Sequence, residues 1–210
     1  MENLNKHLKL NTEKWDLQSK TFDKKSLLRF YFRFCQKRIV SLLHLKEDQM
    51  LLDIGCGTGW ALHYAAILVN GNGGFYGVDI SPKMIEIAKI NSSNCKNIHF
   101  YNSDAETLPF ENNFFDYIIC TNSFHHYLNP LKVLSEIYRV LKDKAKVYIL
   151  DLTADIPILK MVDKQVKKRE QEHVKYYSSQ EYKMFFTKAG LSYALVGIKM
   201  YPVKIHIGEK

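Results

Sequence analysis

The amino-acid sequence predicts an α/β protein built on a doubly wound, mostly parallel sheet with helices on both faces. Three observations lead there. From residue 50 onward, short apolar runs alternate with helical segments at least five times, the order that a parallel sheet with crossover helices requires. A glycine-rich turn joins the first apolar run to the first of those helices. Finally, 210 residues, 46% hydrophobic and 25% charged, suffice for one sizeable core and exclude a disordered chain.

The elements follow in chain order. Residues 24–44 read as a helix, because Leu27, Leu28, Tyr31, Phe34, Cys35, Ile39, Leu42 and Leu43 recur at three- and four-residue steps. Buried-strand runs come at 50–54, 75–79, 98–102, 116–121 and 147–152. A helix over 60–69 joins the first two, and Asn70-Gly71-Asn72-Gly73-Gly74 is the turn behind it. Ser81-Pro82 reads as an N-cap followed by proline in the first turn. Asn129-Pro130 repeats that signature, and Leu134, Ile137, Tyr138 and Leu141 then form one apolar face. Ser178-Ser179-Gln180-Glu181 is a capping box. Tyr182, Phe185, Phe186 and Ala189 continue that helix, and Gly190 stands where it would stop. Two last strands, over 191–199 and 203–207, are separated by Pro202.

Composition narrows the classes. Only 10 Gly and 5 Pro exclude a collagen-like or linker-dominated chain. No run of about 18 apolar residues occurs, so no stable membrane insertion is expected. The polar opening MENLNKHLKLNTEKWD lacks the apolar core of a signal peptide. Cys35, Cys56, Cys95 and Cys120 stand apart with no CxxC pair, so reduced thiols and a cytoplasmic location are expected. The net charge of +8 is uneven: +5 over residues 1–50, −1 over 51–150 and +4 over 151–210. A field of that sign can draw an anionic substrate, a membrane surface or nucleic acid. Solvated helix faces are the plainer account of it.

The most informative segment is Leu51-Leu52-Asp53-Ile54-Gly55-Cys56-Gly57-Thr58-Gly59, a strand, a tight turn and the start of a helix. Its spacing is G-x-G-x-G rather than the G-x-G-x-x-G of dinucleotide folds. An acid stands two residues before the first glycine. A carboxylate there repels a pyrophosphate and attracts a cationic amino-acid group. S-adenosyl-L-methionine is a ligand of that kind. Asp79, at the tip of the second strand and 20 residues after Gly59, can accept the protons of both ribose hydroxyls. Asp104, just past the third strand, can accept from an adenine amino group. Three acids at three successive strand tips thus match the three parts of one ligand.

The motifs LLDIGCGTG, GVDIS, SDAETLPF, FDYIICTNSFHHYLNP and IYRVLKDKAKVYILD, in this order, resemble a class I S-adenosylmethionine-dependent methyltransferase. The resemblance is to the small-molecule type, similar to ubiquinone/menaquinone-biosynthesis methyltransferases, and covers roughly residues 45–152. It implies a Rossmann-like methyltransferase fold of seven strands, the last antiparallel, over 45–210, with 1–44 as a helical lid or substrate segment of the same single domain. By this resemblance Asp53, Gly55 and Gly57 line the methionine part of the cofactor, and Gly59 permits close packing of strand and helix. Asp79 binds the ribose, Ile80 and Met84 lie against adenine, and Asp104 and Ala105 meet the base edge. Thr121 offers its carbonyl to the ammonium. The product is S-adenosyl-L-homocysteine. Cys56, between glycines, reads as a small space-filler.

Methyl transfer from a sulfonium is an in-line displacement on an already activated carbon, for which orientation supplies much of the acceleration. A general base is needed only when the acceptor loses its proton early. His125 and His126 are the candidates, since an imidazole can deprotonate a phenol, enol or amine. No metal site is expected, because neighbours in an extended segment point opposite ways and no spaced third ligand is evident. Trp15, Phe22, Tyr31, Tyr127, Tyr176 and Tyr177 offer an aromatic lining for a small acceptor, anionic or aromatic, or ordinary packing under a lid. Lys164, Lys167, Lys168 and Arg169 steer an acidic substrate or form a solvated helix face.

An RNA or protein acceptor is the second reading. The chain has no RNP motif or zinc knuckle, and Thr121-Asn122-Ser123-Phe124 replaces the Asn-Pro-Pro-Tyr or Asp-Pro-Pro-Tyr run of amino-methylating enzymes, so nucleic acid is not expected as a partner. A third reading is a non-catalytic S-adenosylmethionine-binding or scaffold protein, because the glycines and acids speak for binding rather than turnover. A dehydrogenase is the weakest.

Overall fold

The computed structural model describes residues 2–22, 26–69, 73–170, 173–197 and 202–210. The apolar runs become seven strands of one sheet: β1 Met50–Ile54, β2 Gly74–Asp79, β3 Ile98–Asn102, β4 Phe115–Thr121, β5 Leu141–Leu152, β6 Ala194–Gly197 and β7 Val203–Glu209. Their order is β3-β2-β1-β4-β5-β7-β6. Pairing is parallel throughout except along β7, which runs antiparallel to β5 and β6. The expected fold class is therefore the observed one. β1 lies between β2 and β4, so the chain reverses its direction of winding there, and the crevice at the strands' carboxyl ends opens at that point.

Among the described residues, seven helices and one 3₁₀ turn accompany the strands: α1 Glu2–Phe22, α2 Ser26–Ser41, α3 Trp60–Leu68, α4 Pro82–Asn91, the turn Phe124–His126, α5 Pro130–Val140, α6 Pro157–Arg169 and α7 Ser179–Lys188. The central strands β1 and β4 and the second half of β5 are buried on both faces, and the period of two divides their side chains between two cores. Leu51 packs with Cys35 and Ile39 of α2, Leu62 and Ala65 of α3, and Ala88 of α4. Leu52 and Ile54 pack with Val133, Leu134 and Ile137 of α5 and Tyr182 and Phe186 of α7. The Ser81 hydroxyl accepts from Met84 N–H, and the Ser178–Glu181 capping box forms in both directions. α7 stops just before Gly190, as expected.

Several expectations shift. The helix expected over 24–44 is α2, which ends at Ser41; its last carbonyls receive i→i+3 bonds from Leu42 and Leu43, and His44 adopts a positive φ of 49°. Residues 24 and 25, the turn residues Asn70, Gly71 and Asn72, and positions 198 and 199 of the strand expected over 191–199 lie outside the described residues. β5 begins at Leu141, not at 147, directly out of α5. Lys142-Asp143-Lys144 interrupts its apolar pattern, and the ladder with β4 is irregular there. Leu141, expected on the face of α5, thus opens a strand. Asn129 stands at the N-cap of α5 with Pro130 in the first turn, as expected, but its side chain makes no capping bond; its amide donates instead to both Glu106 oxygens, at 2.9 and 3.0 Å. α6 buries none of its residues, so its cations stand on a solvated helix. No helix among the described residues is long and apolar enough to cross a membrane. All four cysteines are free.

Candidate functional site

Where β1 ends, the chain must turn sharply to enter α3. Gly55 N–H and Cys56 N–H both donate to Val78 O of β2, at 2.9 and 3.0 Å, so the turn is pinned to the neighbouring strand. Gly55 has φ +72°, and a Cβ there would stand 2.4 Å from the Ser123 hydroxyl. Ser123 Oγ in turn donates to Ile54 O and lies 3.1 Å from the Tyr127 hydroxyl. Gly59, with φ +82°, has no room either, since a Cβ would meet the Phe100 ring at 2.7 Å. A Cβ on Gly57 would meet nothing within 4 Å. One glycine therefore faces open space, and two are required by close approach and backbone conformation.

That open space belongs to a cavity of about 940 Å³ not filled by atoms, a volume that includes open solvent at its mouth. Gly55, Gly57, Asp79, Ile80, Met84, Asp104, Ala105 and Thr121 line it, eight of the ten expected cofactor residues. Gly59 does not, because it packs α3 against Phe100 and Ala88. Asp53 lies behind the turn, 2% exposed, outside the cavity wall.

The carboxylates are held in a costly state. Asp79 accepts from Gly57 N–H at 2.8 Å and Ser81 N–H at 2.9 Å, yet burial outweighs these bonds and pushes its pKa up to about 6. Asp53 is pushed up to about 8, first by burial and then by the charge of Asp79. Its Oδ1 is buried with no hydrogen-bond partner. Burial also raises Asp104. An orphaned acceptor beneath a cluster of destabilised acids suits a ligand that brings a positive charge and hydrogen-bond donors. The group expected from the sequence is of that kind, and the residues present fit it. Cys56 is buried and its thiol is raised well above the ordinary value by burial, which agrees with a space-filling role.

α1 forms the roof. His7 Nε2 lies 2.8 Å from His126 O, and the Asn11 amide nitrogen lies 3.0 Å from the same ring nitrogen and donates to His126 O at 3.5 Å. At the other end of the cavity, Asp16 Oδ1 accepts from Ser81 Oγ at 2.5 Å. Trp15 and Phe22 line the cavity from this helix, and Trp15 packs edge-on against His126 at 5.4 Å. Sequence reasoning missed His7, Asn11 and Asp16. The usable signal was the four-residue step His7–Asn11–Trp15, one helical face that mixes polar and aromatic groups and so has weak apolar periodicity.

Of the six aromatic residues expected around an acceptor, Trp15, Phe22 and Tyr127 line the cavity and Tyr31, Tyr176 and Tyr177 do not. The Tyr31 hydroxyl donates to Asn122 Oδ1 at 2.7 Å and so acts on a wall residue from behind. Tyr177 belongs to the core beside Phe124 and Tyr182. Tyr176 stacks beside His125 and His173. The two histidines also part company: His126 lines the cavity, whereas His125 does not and directs Nδ1 at Asp151. The reasoning against a metal ligand set fails on two counts. Residues 124–126 form a 3₁₀ turn, not an extended segment, and His173 brings a third imidazole beside the pair.

Comparison with known proteins follows this geometry. A family model described as a methyltransferase domain matches residues 45–190. A demethylmenaquinone methyltransferase of Staphylococcus haemolyticus is 32% identical over 131 residues, 61% of this chain and 54% of that protein. The chain therefore spans about half the length of the curated relatives it matches. A S-adenosylmethionine-dependent methyltransferase from Aquifex aeolicus superposes with a TM-score of 0.72 at 26% identity, covering 93% of this chain and 98% of that one. A methyltransferase from Haloferax volcanii, solved in complex with the activator Trm112, gives a TM-score of 0.79 at 20% identity, covering 93% of this chain and 96% of that one, and shares the fold.

Proposed function

This chain belongs to the methyltransferase-domain family, matched over residues 45–190, and we propose that it transfers a methyl group from S-adenosyl-L-methionine to a small aromatic acceptor. The observation that carries the proposal is the cavity at the reversal point of the sheet, walled by Asp79 and Asp104 and backed by the unpartnered carboxylate oxygen of Asp53. When bound, the cofactor supplies an electrophilic methyl on a sulfonium.

The chain's own residues do the rest. Gly57 leaves the turn open to the ligand, and Asp79, oriented by two backbone N–H groups, takes the ribose. Asp104 and Ala105 sit at the base end and Ile80 and Met84 against the ring. Thr121 and Asn122, at the tip of β4, face the amino-acid end. The acceptor lies at the side bounded by Trp15, Phe22, His126 and Tyr127, where aromatic faces hold a flat molecule and exclude water. The demethylmenaquinone methyltransferase named among the relatives supports an aromatic class for this acceptor. His126 is the base for acceptors that must lose a proton. The four free thiols support a cytoplasmic setting.

The test is calorimetric titration with S-adenosyl-L-homocysteine, then transfer of a labelled methyl group to a panel of hydroxylated aromatics and quinols. Micromolar binding and label in an aromatic product support the proposal. Binding of NAD in its place would overturn it, and binding without transfer to any small molecule would leave a scaffold.

A further inference from the structure

His125, His126 and His173 meet behind the acceptor side of the cavity. Each offers one ring nitrogen, and the three nitrogens lie within 4.8 Å of one another. All three residues are buried. Three imidazoles seldom converge in a protein interior without something between them, because they cannot all be protonated and a buried lone pair needs a donor.

The surroundings determine which nitrogen each ring presents. His125 Nδ1 lies 2.8 and 2.9 Å from the two Asp151 oxygens. Asp151 is fully buried and also accepts from the backbone N–H groups of His125 and Leu152, at 3.1 and 2.8 Å. His173 Nε2 lies 2.7 Å from Asp163 Oδ1, which also accepts from Tyr176 N–H at 2.7 Å. In a neutral ring, a proton on the nitrogen that faces the carboxylate leaves the lone pair on the other nitrogen. On His173 that other atom, Nδ1, is buried with no hydrogen-bond partner. An imidazole whose second nitrogen is anchored by a carboxylate is the arrangement in which histidine binds a metal ion.

We propose that His125, His126 and His173 bind one divalent first-row transition-metal ion of the zinc class. All three ligands are imidazoles, which suit zinc and its neighbours rather than calcium or magnesium. Asp151 and Asp163 supply two negative charges to balance a dication. Metal–nitrogen bonds of about 2.0–2.1 Å place the nitrogens roughly 3.4 Å apart in a tetrahedron. Closing from 4.8 Å takes ring movements on the order of 1 Å, within side-chain rotation. His126 lines the cavity, and a water or an oxygen of a bound ligand would complete a four-coordinate set. The proposal stands on these side chains and does not depend on the methyl-transfer reading; with the ion bound, the His126 nitrogen that holds it no longer serves as a base.

The test uses the full, untagged chain, stripped with chelator. Cobalt(II) is titrated and read by its visible d–d absorption, with zinc as competitor. One equivalent of cobalt with a tetrahedral-type band, displaced by zinc, is expected. His173→Gln should weaken binding at least tenfold, and Asp163→Asn tenfold to a hundredfold. Melting curves in chelator that match the parent's show that the variants are folded. If His173→Gln does not fold, Asp163→Asn decides. Absence of saturable cobalt binding overturns the proposal. So does binding that both variants leave unchanged, which would place the ion elsewhere, for instance between His63 and Cys95, 3.7 Å apart.

Discussion

Replacing Asp79 by alanine tests the cofactor assignment most directly. The Asp79 carboxylate accepts from Gly57 N–H at 2.8 Å and Ser81 N–H at 2.9 Å, and so joins the glycine turn to the start of α4. A hydrogen bond to a charged acceptor contributes about 1.5–3 kcal/mol. If the same carboxylate takes the ribose, its loss weakens ligand binding by about tenfold to a hundredfold. Gly57 N–H also loses its acceptor, which loosens the cavity wall and adds to the effect. Asp79→Asn separates the two contributions. A carboxamide has one acceptor oxygen for two backbone donors, so its NH₂ must face either Gly57 N–H or Ser81 N–H. The asparagine variant should therefore lose nearly as much as the alanine variant, even though it is isosteric. The assay is calorimetry with S-adenosyl-L-homocysteine, with apo melting curves as a control for folding. Affinity within threefold of the parent in a folded Asp79→Ala protein would refute the ribose assignment.

Three further expectations concern the same site. Asp53 has a folded pKa of about 8 against an ordinary 3.8. The folded protein therefore binds more protons than the unfolded chain between these values, and apo stability falls as pH rises from about 4 to about 8. Asp53→Asn should flatten that slope in denaturant titrations at several pH values; an unchanged slope would show that Asp53 is not destabilised. Gly55→Ala places a Cβ 2.4 Å from Ser123 Oγ at φ +72° and should lower stability by more than ~2 kcal/mol. Gly57→Ala meets open space and should cost only about 1 kcal/mol for its positive φ of 52°, while weakening ligand affinity more strongly; equal melting losses in the two variants would contradict the geometry. His126→Ala should leave cofactor affinity within threefold and reduce turnover only for acceptors that lose a proton. A parent pH–rate profile that is flat between pH 5 and 8 would exclude an imidazole base.

Much of the lining of the cavity at the strand tips was legible in the residues because its determinants are local. Strand tips, the glycine turn and the acids two and twenty residues away from it follow one another along the chain, and the sheet order brings successive tips together. The capping signals at Ser81 and Ser178 have the same local character. Local signals misled where one side chain had two available partners. Asn129 has the residue type and position of a cap, but Glu106 takes its amide. Lys142-Asp143-Lys144 lacks an apolar pattern, but Leu141 pairs with Phe115 of β4 and Lys144 N–H donates to Lys210 O, which carries β5 back to Leu141.

The sequence by itself determined the α/β class, the order of the elements and the acid-and-glycine pattern, since each rests on periodicity or spacing within a few residues. Only the tertiary structure decided which aromatic residues face the cavity, that α1 roofs it, and that three histidines converge beside it. Those facts depend on contacts such as His7 with His126, 119 positions apart, and His125 with Asp151, 26 apart. No periodicity spans such separations; they are settled by how the helices pack on the sheet.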